Sequence, residues 1–402
     1  MKRICLTVIG LFLLFVQSFS QTAPDTSTYK PRKLTFDEAN LVSSYYIQNG
    51  DHSAIRGGIG SEHVTDLANG IELKFVGWDA KLRKNSLTAG MGVDHHTAAS
   101  QAWISKTGAS RRTDGMRLYP SLDWSRENET KGSTIGGGLY YSNEFNYQSA
   151  GVNASVSQKT KNNGEFGVKV SAYIDQVKLI FPSEFEPAGA YTTRGNGEER
   201  HPDYASSGRQ TYTASFSFTQ VINKRVQGAL LLDLVDQQGY LGLPFHRVYF
   251  TNGVDSVERL PGHRFKLPVG LRLNYFLGDN VILRGYYRYY TDSWGLHSHT
   301  ASLEATLKVT PFFSLTPFYR YYMQTAADYF APYATHVIAD TYYTSNYALA
   351  GFTSHYFGGG LRLAPPKGIF DKHWRMLEIR YGHYTQTTDL VSDVISLNLQ
   401  FK

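Results

Sequence analysis

The chain of 402 residues has almost no sulfur chemistry: one cysteine, Cys5, and five methionines. Charged residues are also scarce, at 18% against roughly 25% in an average soluble protein. Apart from the first twenty residues there is no long apolar run, and mean hydropathy is −0.33, so a bundle of membrane-spanning helices is excluded. Disorder is excluded by the opposite side of the composition, since aromatic residues reach 14%, with 29 Tyr and 23 Phe. With 37 Gly among many Tyr and Thr, the balance points to an all-β protein.

Met1-Lys2-Arg3, an apolar Ile4–Val16 and Ser18-Phe19-Ser20 form a tripartite secretory signal, which predicts cleavage after Ser20. Cys5 lies inside it, so the mature chain has no thiol, disulfide or thiolate metal site. Losing Lys2 and Arg3 from the 40 basic residues leaves 38 against 34 acidic, a mild excess that does not point to nucleic acid. Residues 21–51 read as a polar periplasmic lead, with Leu34–Tyr46 a short helical or extended docking piece. Residues 52–402 read as one domain.

From His52 onward the hydrophobic period is two. Phe313, Leu315, Pro317, Tyr319, Tyr321 and Met323 alternate with Ser314, Thr316, Arg320 and Gln324. Leu303, Ala305 and Leu307 alternate in the same way with Glu304, Thr306 and Lys308. These stretches run ten to thirteen residues, the length of a tilted membrane-crossing strand rather than a soluble one. Aromatics gather at their ends, as in interfacial girdles. Every second connection is short (128–132, 159–163, 223–225, 278–280), while the others include long excursions at 98–115, 178–209, 238–262 and 325–353. This alternation predicts a transmembrane antiparallel β-barrel of about sixteen strands (fourteen to eighteen), with short periplasmic turns and long extracellular loops. The first strand is expected at 52–61 and the second at 71–80. The protein is therefore expected in the bacterial outer membrane, with its lipids and the barrel-assembly machinery as partners.

Parity puts Arg272, Arg284, Arg288, Arg320 and Arg362 on the inner face, with Lys169 and Lys308. In one lumen they favour anions, or they pair with the inward Asp123, Asp233, Glu304 and Glu378 in a network that fills it. His297 and His299, and His95-His96 beside Asp94, supply at most two ligands each, short of a metal site. A rim hydrolase could draw its base from Asp94, His95 or His297 and its nucleophile from Ser298 or Ser354, but no spacing joins them. No catalytic, metal or cofactor residue is assigned. The glycine runs 57–60, 136–138 and 358–360 lack the strand-to-helix context of a phosphate loop and read as strand positions where the barrel bends or a bulky aromatic neighbour covers the backbone.

Val235-Asp236-Gln237-Gln238-Gly239-Tyr240-Leu241, Tyr286-Tyr287-Arg288-Tyr289-Tyr290, Trp294–Thr300, Tyr319-Arg320-Tyr321-Tyr322 and Gln324–Phe330 carry a resemblance. So do Ser43–Tyr46 and Ser142–Tyr147. Together they resemble the DUF3570 family of exported bacterial proteins. The resemblance implies an outer-membrane barrel and no catalytic residues. The family's genes tend to lie beside those of a small lipoprotein, a thioredoxin-like protein and an FMN-transferase-like protein, which implies an envelope redox or flavinylation setting. Three readings follow: a porin-like passage with an Arg-lined lumen, a non-conducting barrel that scaffolds a lipoprotein-containing complex, and a rim hydrolase.

Overall fold

The computed structural model describes residues 31–97, 115–185, 192–193, 199–200, 204–369 and 373–402. The expected signal segment 1–20 lies outside them. Sixteen antiparallel strands close into one barrel in strict sequence order. They are β1 (Arg32–Asn49), β2 (Val64–Trp78), β3 (Lys84–Thr97), β4 (Gly115–Asn128), β5 (Ser133–Asn143), β6 (Tyr147–Lys159), β7 (Gly164–Lys178) and β8 (Ser206–Asn223), followed by β9 (Val226–Gly239), β10 (His263–Leu277), β11 (Val281–Asp292), β12 (His297–Lys308), β13 (Phe313–Gln324), β14 (Phe352–Leu363), β15 (Trp374–Gln386) and β16 (Leu390–Phe401). Lipid offers no partner to an edge strand's amides, so the ends must pair. They do, from Ala39 against Phe401 to Asn49 against Val391.

The outer wall is an apolar surface left exposed. Leu139, Val170, Leu230 and Leu303 are each at least half exposed, as expected where lipid rather than protein covers the sheet. The turns at one end are tight apart from the longer connection 364–373. Gly132 and Asn163 take left-handed backbone angles, φ 61° and 58°, between β4 and β5 and between β6 and β7. The long loops all leave from the other end.

The strand number matches the sequence expectation, but the start does not. The first strand is Arg32–Asn49, so this stretch is barrel wall and not a lead segment. Residues 50–63 are a loop, in which Gly57, Gly58 and Gly60 take φ of 74°, 88° and 81°, which no strand residue adopts. β2 likewise begins at Val64 rather than Ile71. Two features hide β1 in the sequence. Its outward Ser43 donates a hydrogen bond to Asn69 Oδ1 (2.8 Å) on the lipid face while Val42 points inward, which blurs the alternation. Register shifts between Arg32 and Thr35 and between Phe36 and Glu38 break the period again.

Candidate functional site: the capped lumen

Inside the barrel three levels can be followed by register. The uppermost is a folded cap. The loop 240–262, between β9 and β10, leaves the wall diametrically opposite the loop 50–63, between β1 and β2. The two nevertheless meet: buried Arg247 donates from Nη1 to the Ile55 carbonyl (2.7 Å) and pairs through its other nitrogens with Glu184 from the β7–β8 loop. Tyr249 lies against Gly57, where a Cβ would stand 2.5 Å from the ring. The 325–351 loop joins through backbone bridges Phe250–His336 and Arg259–Tyr343, and Tyr347 stacks on His52 with ring centres 3.7 Å apart. The cap has its own interior. Val248 is fully buried, and Trp294, Leu296 and Ala327 pack with Leu241, Leu260 and Leu349.

Glu258 is buried in the cap as a carboxylate. Burial pushes its carboxyl up, but His246 at 3.5 Å, the Thr344 hydroxyl and the Leu243 amide outweigh that and hold it below the usual carboxylate range. Burial, followed by the field of Glu258, pushes the Tyr240 hydroxyl up to about 12. Glu62 is pushed up too, chiefly by burial.

Beneath the cap runs a collar that the sequence reading missed. Tyr-x-Gln or Tyr-x-Asp recurs near the loop ends of β1 (Tyr46, Gln48), β7 (Tyr173, Asp175), β11 (Tyr290, Asp292), β13 (Tyr322, Gln324) and β15 (Tyr384, Gln386). The register sets these five tyrosines at one height on the inner face. Residues two apart share a strand face, so four of the hydroxyls donate to their own i+2 side chain at 2.6–2.7 Å. The glutamine amides then reach upward. Gln48 donates to the Glu62 carbonyl (3.3 Å), and Gln324 to those of Ala348 (3.1 Å) and Ala350 (2.5 Å). Asp292 pairs with Arg264, and Asp175 with Arg209 at 2.9 Å. The collar therefore fastens the cap to the wall. The signal for it, one tripeptide pattern repeated at the ends of alternate strands, is legible once it is sought.

Below the collar is a charged waist. Arg272, Arg284, Arg288, Arg320, Arg362, Lys308, Glu304, Asp233 and Glu378 all face inward, each with the opposite parity to its lipid-facing neighbours. Two carboxylates of this set pair with arginines. Glu304 takes Arg284 (2.6 Å) and also Arg380 (2.9 Å), and Glu378 takes Arg380 (3.3 Å). Arg380, absent from the sequence expectation, reaches past Phe318, its guanidinium 5.0 Å from the ring centre. Gly360 leaves the space, since a Cβ there would stand 3.0 Å from the Arg380 chain.

Among the described residues Asp123 and Asp233 make no ion pair, and neither do Arg272, Arg288, Arg320 and Arg362. Arg320 stacks over Tyr356 at 4.8 Å, and Arg288 reaches Thr300 Oγ1 at 3.4 Å while its buried Nε has no partner. The waist is hollow: Arg272, Arg284, Arg320, Arg362, Asp123 and Lys169 are all exposed although they point inward. Among the described residues the ion pairs at this level are confined to Arg284, Glu304, Arg380 and Glu378. In the strand run 358–360, Gly358 lies against the Tyr381 carbonyl and Phe318 and Gly360 against the Arg380 chain, whereas Gly359 has no side chain near it; 57–60 is not strand but part of the cap.

Strand alternation separates the groups considered for hydrolysis. His297, His299 and His355 face outward, bonded to Tyr289, Tyr287 and Tyr319, while Ser298 and Ser354 are buried on the inner side. His95 faces out, whereas Asp94 faces in and accepts from Tyr119 (2.7 Å). Among the described residues no group of three or more His, Cys, Asp or Glu could hold a metal.

A family model described as "Protein of unknown function (DUF3570)" matches residues 88–392, about three quarters of the chain. The chain belongs to the DUF3570 family. In this member the match runs from β3 into β16 and takes in the arginines of the waist. No curated protein matches in sequence. Among solved structures the chain is similar to a bacterial polysaccharide outer membrane secretin (9% identity, 90% of this chain and 98% of that one, TM-score 0.46). It is also similar to OccK1 (OpdK) of Pseudomonas aeruginosa (8%, 90% and 97%, 0.41) and to a BenF-like porin of Pseudomonas fluorescens Pf-5 (7%, 91% and 98%, 0.41). The fold itself, a closed ring of sixteen antiparallel strands with an apolar outer wall, is that of an outer-membrane β-barrel.

Proposed function

We propose that this barrel is a porin-like passage for small solutes, restricted at its outer mouth by the folded cap and biased toward anions at the waist. The observation that carries the reading is the hollow waist. Sixteen strands enclose room for water, and charged side chains there stay solvent-exposed instead of packing against one another. Arg288 and Arg320 have no carboxylate partner among the described residues, so their charge is available to a passing ion. Low-dielectric walls focus that field along the lumen.

The test is planar-bilayer conductance of the refolded mature protein across a salt gradient. Wild type is expected to show stable steps with an anion preference. Arg288→Gln/Arg320→Gln is expected to lower the anion-to-cation permeability ratio about twofold while leaving conductance open. An unchanged ratio would remove these two residues from selectivity, and a folded but silent wild type would remove the passage itself. An N-terminal address to the envelope and association with a lipoprotein or thioredoxin-like neighbour remain part of the proposal, and co-purification tests the latter.

A further inference from the structure

Apart from Lys169 on β7 and Asp233 on β9, which lie between them on the ring, the unpaired charges of the waist fall into two arcs of opposite sign. Arg272, Arg288, Arg320 and Arg362 stand on β10, β11, β13 and β14, whereas Glu72 and Asp123 stand on β2 and β4. In a ring of sixteen strands these two arcs face each other across the lumen. The register puts Glu72, Asp123 and Arg272 at one height, with Arg362 just below and Arg288 and Arg320 just above. Among the described residues none of the six makes an ion pair. Glu72 and Asp123 are exposed to the lumen, and the nearest polar contact of Asp123 is Asn153 Nδ2 at 3.5 Å.

Elsewhere in the barrel opposite charges sit close enough to cancel, as at Glu304 between Arg284 and Arg380. Here the two sets stand on opposing arcs of the ring, with no ion pair between them among the described residues. Unlike charges on opposing walls, neither neutralised locally, set up a field across the pore rather than along it. A passing anion gains from the four arginines and gives back part of that gain at Glu72 and Asp123. A solute that carries both charges at once gains from both when it turns its carboxylate to the arginines and its ammonium to Glu72 and Asp123.

We infer that the waist is a filter for zwitterionic solutes of amino-acid type, which it admits ahead of uncharged solutes of similar size. The inference rests on the passage reading and narrows it to a substrate class.

Proteoliposomes carrying the mature protein are placed in isotonic L-serine or isotonic erythritol, and initial swelling rates are compared. Serine is expected to enter at least threefold faster. Glu72→Gln/Asp123→Asn, which changes charge with little change of shape, is expected to bring the ratio to about one while raising the anion preference in bilayers. Arg272→Gln/Arg362→Gln is expected to lower the ratio from the other side. A wild-type ratio near one, or a ratio that survives both double variants, overturns the filter and leaves the passage standing. Absence of swelling in either solute together with absence of conductance overturns both.

Discussion

Arg247→Ala is expected to turn a restricted channel into one of several-fold higher conductance. Arg247 is the point where opposite sides of the mouth are joined, through the Ile55 carbonyl on one side and Glu184 on another. Alanine leaves a buried carbonyl without its Arg247 donor and removes the Arg247 pair from Glu184. Glu184 is partly exposed, so its share is discounted for solvent screening. The combined cost to the closed cap is about 1–3 kcal/mol, which shifts the ratio of closed to open cap by roughly 5- to 150-fold. The barrel wall is untouched, so heat-modifiable mobility on gels should be unchanged. Single-channel recording checks the result, and a variant with wild-type conductance would show that the cap does not limit flow. Acid should act in the same direction. Glu258 has a carboxyl held below its usual range by the fold, so its contribution is complete above the unfolded value and fades as pH falls through the folded one. Opening by this route is expected below roughly pH 4, with the cap intact at neutral pH.

Removing β1 should abolish assembly altogether. A chain that begins at His52 lacks the strand pairing with both β2 and β16, from Gln48 opposite Val64 to Ala39 opposite Phe401. Two edges would then stand in lipid, where each unsatisfied backbone group costs several kcal/mol. Such a chain is expected to give no compact, heat-modifiable species and no outer-membrane insertion, whereas one that begins at Arg32 keeps every barrel pairing. The comparison is a gel-shift assay on refolded protein. A closed barrel from the His52 chain would mean that β16 can pair directly with β2.

How far the sequence could be read differs from element to element. Strands such as Phe313–Gln324 announce themselves because lipid selects every second residue, and parity carries Arg288, Arg320 and Glu304 to the inner face with the same certainty. Which of these charges pair is a different question. It depends on the stagger of neighbouring strands, so Arg380 reaching Glu304 across two intervening strands left no local trace. β1 was hidden because Ser43 and Asn69 satisfy each other on the lipid face, which removes the apolar signal at two positions. The cap is built from loops with no period at all, and its decisive contact, Arg247 with Ile55, obeys no spacing rule. The collar was legible in principle, but its tyrosines sit beside outward ones in Tyr289-Tyr290 and Tyr321-Tyr322, and a doublet reads as a girdle unless the two are separated by parity.

The cap also fixes an order of events. Arg247 and Ile55 are 192 residues apart in sequence, and nothing local holds them near each other in an unfinished chain. Bringing such distant segments together is entropically unfavourable until something else has fixed their positions. Only the completed ring does so, because it sets the two loops on opposite sides of one rim at a constant distance. Closure of the mouth is then the last step of folding and follows automatically from the circumference of the wall: a sheet that closed with one hairpin too few or too many would misplace the two loops, and its mouth would stay uncovered.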